Sequence, residues 1–283
     1  MSQIRVNTIQ TGGLIGNETF LRGERWSSLL RRRRDYEFPA YSFIVEHPDG
    51  LIAIDTGMPT RARSPRPRLQ RRFVPDPGPE HEIGPAMRAA GLDPAEVRTV
   101  ILTHLDWDHA GGLGHFPQAE VLLHRPEHAF AQTAAGRWRY EPNLWPPGFT
   151  PTVYDLDPEP CGPFPASRTV TDDGTVRIVP IPGHSIGQVG VIVRHHDVDL
   201  FFVADHVLRQ DWFLSDYAAG RLVGLGHFHR AQARETSRRI HDLIDTAPTV
   251  LLPSHDDQVP GRLQELELGP QRKTSASTTM RTA

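Results

Sequence analysis

Hydrophobic residues fall into short runs along the chain, and most of these runs are rich in Val, Ile and Phe. Short apolar or alternating runs, bounded by Gly, Pro and polar residues, predict strands that are buried on at least one face. Strands are predicted at 4–9, 41–46, 51–55, 98–102, 119–124, 175–179, 189–193, 199–203 and 249–252. Three longer stretches predict helices, at 83–90, 126–135 and 231–245.

Turn-forming residues divide these elements. The sequence at 47–50, His-Pro-Asp-Gly, is typical of a hairpin turn between the second and third strands. Gly91 is expected to end the first helix, while Pro126 begins the second and Gly136 ends it. Thr-Gly-Gly at 11–13 indicates a turn directly after the first strand.

Three segments lack the regular spacing of hydrophobic residues that predicts a strand or a helix. Residues 137–168 scatter aromatic side chains among prolines, which suggests an inserted cap beside a pocket, or aromatics that simply pack the insertion together. The segment 59–80 is rich in Arg and Pro and predicts a loop. It is either a solvated surface segment, a flap that attracts anionic substrates, or a subunit contact, in which case the protein forms a homodimer. Residues 1–268 are expected to form one domain, and 269–283 a disordered tail.

Composition narrows the classes of protein that fit. The chain has 283 residues, 38% of them hydrophobic and 23% charged, which is ordinary for a globular domain. The net charge of −3 argues against a general nucleic-acid binder. No apolar run approaches the roughly 18–20 residues of a membrane span, and the first residues lack the apolar core of a secretory signal, so we predict a cytoplasmic protein without membrane contacts. Because Cys161 is the only cysteine, the chain can form neither an intrachain disulfide nor a metal cluster held by several thiolates.

The stretch at 103–112 carries the candidate chemistry. His104, Asp106, Asp108 and His109 fall within six positions, directly after the apolar strand at 98–102. Alternation along extended backbone points the first three to one side, and the fourth joins them as the chain turns at Gly-Gly. Imidazole and carboxylate groups at this spacing favour a divalent transition ion such as zinc over the alternative of a solvated polar loop.

These residues resemble a known signature. His104-x-Asp106-x-Asp108-His109 is similar to the His-x-His-x-Asp-His motif of the metallo-β-lactamase superfamily, with Asp106 at the second His position. Four further stretches resemble motifs of that superfamily in the same order along the chain. They are the strand and Asp-Thr-Gly turn at 51–57, the third-ligand loop at 182–188, the strand ending in the bridging Asp at 201–206, and the final-ligand loop at 253–256.

The resemblance implies a fold and a ligand set. The fold is of the α/β (α+β) class, an αββα sandwich with helices outside two packed sheets. The ligands are divided between two divalent metal ions: His104, Asp106 and His184 hold the first, Asp108, His109 and His255 the second, and Asp205 bridges both. Zinc is the first choice of metal. Because Asp106 makes the first site more anionic and harder, iron and manganese are the alternatives.

The resemblance also implies a mechanism. Two ions about 3.5–4 Å apart share a water and lower its pKa toward neutrality, which supplies hydroxide for hydrolysis. Asp108 would orient this nucleophile or carry a proton to the leaving oxygen. Asp55 either accepts a hydrogen bond from a ligand His or only forms the turn before Gly57. His206 either contacts substrate or packs, and His227 with His229 forms either a second His pair or part of the pocket lining.

Within the superfamily, the sequence is most similar to the N-acyl homoserine lactonase branch. The implied substrate is therefore a small lactone, either an N-acyl homoserine lactone or a related lactone or ester. In that branch a Tyr often lies three residues past the bridging Asp, and here that position is Leu208. Tyr217, His206 or a cap residue would have to replace its hydroxyl. The alternatives are a phosphodiesterase, another ester hydrolase, an iron-dependent oxidoreductase, or a non-catalytic binding module that a metal stabilises.

Overall fold

The computed structural model describes residues 4–17, 35–60, 78–140, 142–218 and 227–268. The predicted tail at 269–283, the greater part of the Arg- and Pro-rich segment (61–77) and the side chain of Tyr217 lie outside the described residues. In the described part of the chain, no helix is both long enough and apolar enough to cross a membrane.

The first sheet has six strands in the order β1 to β6. Strands β1, β2 and β3 pair antiparallel, and β3 to β6 pair parallel. The strands are β1 (Arg5–Asn17), β2 (Asp35–His47), β3 (Gly50–Ile54), β4 (Val97–Leu102), β5 (Glu120–His124) and β6 (Thr152–Tyr154). Because β3, β4 and β5 run parallel, their carboxyl ends meet at one edge of the sandwich.

The second sheet has five strands in the order β11-β10-β9-β8-β7. All neighbours are antiparallel except β10 and β11, which are parallel. The strands are β7 (Arg168–Thr169), β8 (Val176–Pro180), β9 (Val189–His195), β10 (Val198–Ala204) and β11 (Thr249–Pro253). Seven α-helices lie in the described residues: α1 (Ile83–Ala89), α2 (Trp107–Ala110), α3 (Arg125–Ala131), α4 (Ala134–Arg139), α5 (Gln210–Ala218), α6 (Arg230–Thr246) and α7 (Val259–Leu268).

Alternation of side chains along the strands sets the order of the layers. Phe43 of β2 and Phe202 of β10 point into the space between the sheets, where their ring centroids are 4.9 Å apart. Their neighbours face outward: Ile44 packs in a cluster that includes α1, and Phe201 packs in a cluster that includes Ile240 of α6. The predicted αββα sandwich is therefore confirmed.

Two local predictions were wrong. The chain makes no turn at 11–13, because β1 continues through Gly12 and Gly13 and only shifts its register against β2 there. The second helix does not run to Gly136. It ends at Ala131, and Gly136 lies inside α4, where a Cβ atom would stand 2.0 Å from the carbonyl oxygen of Phe130. Gly136 is thus required by the close approach of the two helices.

Candidate metal centre

The predicted ligands follow the ends of four strands, one in the first sheet and three in the second. His104 follows β4 in the first sheet, and His184, Asp205 and His255 follow β8, β10 and β11 in the second. Asp108 and His109 lie on the one-turn helix α2, which begins directly after Asp106. The centre is therefore built at the seam between the two sheets.

All seven side chains come together in two groups. Ligand atoms of Asp108, His109, Asp205 and His255 lie within 4.8 Å of one another, and so do those of His104, Asp106 and His184. Asp205 joins the groups through its two oxygens. Its Oδ1 lies 3.0 Å from His109 Nε2 and 3.2 Å from His255 Nε2, while its Oδ2 lies 3.6 Å from His184 Nε2. This is the arrangement expected of a carboxylate shared by two neighbouring cations.

Hydrogen bonds fix the tautomers of three of the histidines predicted as ligands. His255 Nδ1 contacts the carbonyl oxygen of Pro39 at 2.7 Å, and because a carbonyl only accepts, Nδ1 carries the proton. His109 Nδ1 donates to Asp55 Oδ2 at 2.8 Å. Thr103 Oγ1 donates to that same carboxylate oxygen and therefore accepts from His104 Nδ1 at 2.9 Å. In each neutral ring the lone pair is left on Nε2, which points into the centre.

The buried atoms of the centre fit a pair of cations. In the described part of the chain, four of them have no hydrogen-bond partner: His104 Nε2, His109 Nε2, Asp205 Oδ1 and His255 Nε2. Lone pairs that face each other at 3.0–3.2 Å repel unless a proton or a metal ion lies between them. Nitrogen and carboxylate donors suit zinc, and more carboxylate-rich sets suit iron and manganese. The donor set therefore fits two divalent metal ions.

Asp55 supports the centre from the end of β3. Besides His109, it accepts hydrogen bonds from both the backbone N–H and the hydroxyl of Thr103, each at 2.8 Å. Asp55 is buried and adopts a φ of 60°, a conformation that costs a non-glycine residue about 1–3 kcal/mol. Of the two roles considered for Asp55, the structure supports the hydrogen bond to a ligand His.

Gly111 and Gly112 bring the Asp55 turn against the ligand helix. A Cβ atom on Gly112 would lie 2.1 Å from the carbonyl oxygen of Thr56. Two backbone hydrogen bonds join the turn and the helix at this contact. Thr56 N donates to His109 O at 2.6 Å, and Gly111 N donates to Gly57 O at 3.1 Å. The double glycine is thus needed for close approach of two backbones.

Asp106 is held by a residue that the sequence did not single out. Arg139, at the end of α4, donates from Nε to Asp106 Oδ1 at 2.8 Å and from NH2 to Oδ2 at 2.6 Å. Burial would raise the pKa of Asp106, but the neighbouring His104, His184 and Arg139 side chains outweigh it and hold that pKa well below its usual range. Asp106 is therefore a fixed anion.

Glu127 is the second residue that the sequence did not reveal. It is fully buried and accepts hydrogen bonds from Leu105 N at 3.1 Å, Ser185 Oγ at 2.8 Å and Gly187 N at 2.9 Å, and also from the Tyr140 hydroxyl. These partners lie next to His104 and His184, so Glu127 ties two ligand loops together. Only its place at the start of a predicted helix was visible in the sequence.

Two further histidines, His206 and His227, lie beside the centre. His206 is buried, and its Nε2 contacts Ser237 Oγ at 3.0 Å, which supports packing over contact with substrate. Burial, together with the nearby His227 and His184, holds the pKa of His206 well below its ordinary value. Burial and His184 lower the pKa of His227 to about 3. Both rings are therefore neutral, and their centroids lie 5.0 Å apart. A lining role for His227 and His229 stays a prediction.

A cleft of about 670 Å³ opens over the centre. Asp106, Asp108 and Asp205 contribute to its polar floor. Its walls are aromatic, formed by Trp107, Phe130, Trp138 and Phe228. Trp138 is 75% exposed and Phe228 53% exposed, so the mouth of the cleft presents large apolar surfaces to solvent. Trp138 and Arg139 are the residues of the segment 137–168 that line the cleft, and the same segment supplies the edge strand β6.

Metal binding is expected to weaken as the pH falls. Burial lowers the pKa of His109, but three carboxylates, Asp205 foremost, outweigh burial and raise that pKa well above 6.5. Burial also lowers the pKa of His255, and there too Asp205 outweighs it, so that the pKa is raised. Below these raised pKa values Nε2 carries a proton that an ion must displace. Zinc affinity should therefore decline before the pH reaches 6.5. Competition with a chromophoric chelator over roughly pH 6 to 9 measures this, and a flat profile would contradict it.

Comparison with known proteins identifies the family to which these motifs point. The family model described as "Metallo-beta-lactamase superfamily" matches residues 35–255. An N-acyl homoserine lactonase, AttM, from Rhizobium johnstonii is 31% identical over 167 residues, which are 56% of this chain and 61% of that protein. A probable metallo-hydrolase from Mycobacterium tuberculosis is 32% identical over 161 residues, 53% of this chain and 51% of that protein. The chain thus spans less than two thirds of the length of these relatives.

Solved structures share the fold along most of the chain. AiiA from B. thuringiensis, solved with N-decanoyl-L-homoserine at its active site, superposes with a TM-score of 0.71 and 17% identity, covering 92% of this chain and 97% of that one. AidC, described as a dizinc quorum-quenching lactonase, superposes with a TM-score of 0.64 and 16% identity, covering 91% and 89%. At this identity the likeness concerns the fold.

Proposed function

Because the chain belongs to the metallo-β-lactamase superfamily, we propose that it is a metal-dependent hydrolase that opens lactones at a centre of two divalent metal ions. The observation that carries the proposal is the position of Asp205, whose two oxygens face two separate groups of His and Asp side chains. A structural metal site usually closes with four ligands, so a seven-ligand centre beneath an open cleft favours catalysis over a binding module.

The proposed ligands keep the division that the sequence suggested. His104, Asp106 and His184 would hold one ion, Asp108, His109 and His255 the other, and Asp205 both. Bound there, the ions would lower the pKa of a water and polarise the carbonyl of the substrate. Zinc is the proposed metal, with iron or manganese as the alternatives that Asp106 favours.

Asp108 is placed to handle a proton. Its Oδ2 lies 3.6 Å from His255 Nε2, and its side chain also borders the cleft. When a lactone ring opens, the leaving oxygen stays on the same molecule and must gain a proton. As a carboxylate at the floor of the cleft, Asp108 would take a proton from the attacking water and pass it to the leaving oxygen, and general acid–base catalysis of this kind contributes about 10²–10⁴-fold. We propose this role for Asp108.

The walls of the cleft favour a substrate with an apolar arm. A carbonyl held near Asp108 and Asp205 leaves the rest of the molecule between Trp138 and Phe228. Burial of an alkyl arm there is favourable by about 0.8 kcal/mol for each CH₂. At the position of the lactonase Tyr this chain has Leu208, and His206 is buried against Ser237, so recognition rests more on these aromatic walls than on a hydroxyl.

A substrate panel tests the assignment. We expect N-acyl homoserine lactones and other alkyl-substituted lactones to be hydrolysed with a kcat/KM at least about tenfold above that of phosphodiesters or thioesters. Each substrate is run with zinc, manganese and iron after anaerobic and aerobic purification, which also separates hydrolysis from iron-dependent oxidation. A panel led by phosphodiesters would refute the lactonase assignment while leaving the hydrolase intact.

A further inference from the structure

We propose that Arg139 is a positioning residue that allows a carboxylate, Asp106, to serve where the superfamily signature has a neutral His. The inference rests on the proposed two-ion centre. Arg139 holds both oxygens of Asp106 and also donates from NH1 to the backbone oxygen of His184 at 2.9 Å. One side chain thus fixes two of the four residues proposed for the first ion.

The geometry is that of a rigid fork. The Nε and NH2 donors of a guanidinium are parallel and match the two oxygens of a carboxylate, which adds orientation to charge. Both side chains are largely buried, 16% exposed for Arg139 and 17% for Asp106. Asp106 therefore presents Oδ2 at a fixed place, 3.0 Å from His184 Nε2 and 3.4 Å from His104 Nε2.

Charge is the second part of the inference. Replacing a His ligand with Asp adds one negative charge to a centre that already contains Asp108 and Asp205, and Arg139 offsets it with one positive charge. A buried cation is costly without its carboxylate, so Arg139 and Asp106 depend on each other. If a neutral imidazole stood in place of the Asp106 carboxylate, Arg139 would be left as an unpaired buried cation beside the proposed dications.

The position of Arg139 is itself supported on both sides. Thr133 caps α4 by accepting a hydrogen bond from Gly136 N at 3.0 Å. Tyr140, the next residue, donates to Glu127, and Glu127 also accepts from Leu105 and Ser185. The end of α4 is therefore tied to the loops of His104 and His184, and a flexible Lys at 139 would keep the charge but lose the fork.

The test is a metal-binding cycle that does not depend on turnover. Zinc is titrated, in competition with a chromophoric chelator, into the metal-depleted wild type and four metal-depleted variants. The variants are Arg139→Gln, Arg139→Lys, Asp106→His and the double variant Asp106→His/Arg139→Gln. Arg139→Gln is expected to weaken the binding of one of the two ions by about 10–100-fold and the binding of the other by less than about threefold. Arg139→Lys should fall between Arg139→Gln and wild type. Arg137→Gln, an exposed Arg on the same helix, is the matched control and should bind as wild type does.

The double variant separates a positioning role from a merely structural one. Asp106→His alone is expected to bind the first ion weakly, and the added Arg139→Gln to restore binding to within about threefold of wild type. If Arg139 only anchored α4, adding Arg139→Gln would weaken zinc binding further. It would also lower the unfolding temperature of the metal-free protein. Unchanged binding in Arg139→Gln, or no rescue in the double variant, overturns the inference alone. Wild type that binds none of zinc, iron and manganese overturns the proposed function as well.

Discussion

Asp205→Asn is expected to lower kcat/KM for lactones by about a thousandfold while leaving the protein folded, since losing about 4 kcal/mol of charge stabilisation has that effect. Asp205 offers one oxygen to each group of proposed ligands, and an amide removes the charge and one of the two acceptors without changing the shape. His109→Ala is expected to cause a comparable loss, since His109 Nε2 faces the same carboxylate. Steady-state kinetics measure the loss of kcat/KM, and circular dichroism shows whether the variants are folded.

Asp197→Asn is the matched control for that experiment. Asp197 is an exposed residue in the turn between β9 and β10, at the opposite end of β10 from Asp205. The same chemical change there should leave kcat/KM within about twofold, because surface substitutions away from special features have small effects. Undiminished turnover in purified Asp205→Asn would rule out the two-ion mechanism.

Removal of the ions by a chelator is expected to abolish hydrolysis and to lower the unfolding temperature by roughly 10 °C. Ions that bind only the native state at a concentration about a thousand times Kd stabilise it by about 4 kcal/mol. They would also relieve the repulsion between lone pairs of Asp205, His109 and His255.

Thermal unfolding with and without chelator, followed by return of zinc, tests this second prediction. Asp205→Asn should show a much smaller shift than wild type, because it has already lost the shared ligand. Equal unfolding temperatures for wild type with and without chelator, at saturating zinc in the untreated sample, would mean that the centre holds no ion that matters to folding.

Local pattern was enough to place nine of the eleven described strands, all but β6 and β7, and the first predicted ligands at 104–109. β4 is a short, buried, β-branched run, and the ligands after it are close in sequence, so no long-range information was needed. The later ligands are different. Isolated His and Asp residues such as His184 and Asp205 have no local signal that separates ligands from ordinary polar residues, and only the order of motifs across the superfamily connected them.

Arg139 and Glu127 show where reasoning from sequence stops. Arg139 meets Asp106 from 33 residues away, and Glu127 meets Ser185 from 58 residues away. In the sequence, Glu127 is an ordinary charged residue at the start of a predicted helix, and Arg139 is one in the irregular segment 137–168. The role of each exists only once α3 and α4 pack against the loops of the predicted ligands. The end of the second helix was misplaced for a related reason. Gly136 normally signals a helix end, but here it is required by contact with Phe130.

The seam between the sheets sets the order in which the centre is assembled during synthesis. His104, Asp106, Asp108 and His109 emerge from the ribosome with the first sheet, but their partners His184, Asp205 and His255 follow only with β8, β10 and β11. A nascent chain that ends before β11 therefore holds an incomplete set of donors, which would bind ions loosely and exchange them freely. If the proposed centre holds two ions, tight binding would become possible only when the last strand has joined its sheet, and the ions would stabilise only those chains in which both sheets are complete.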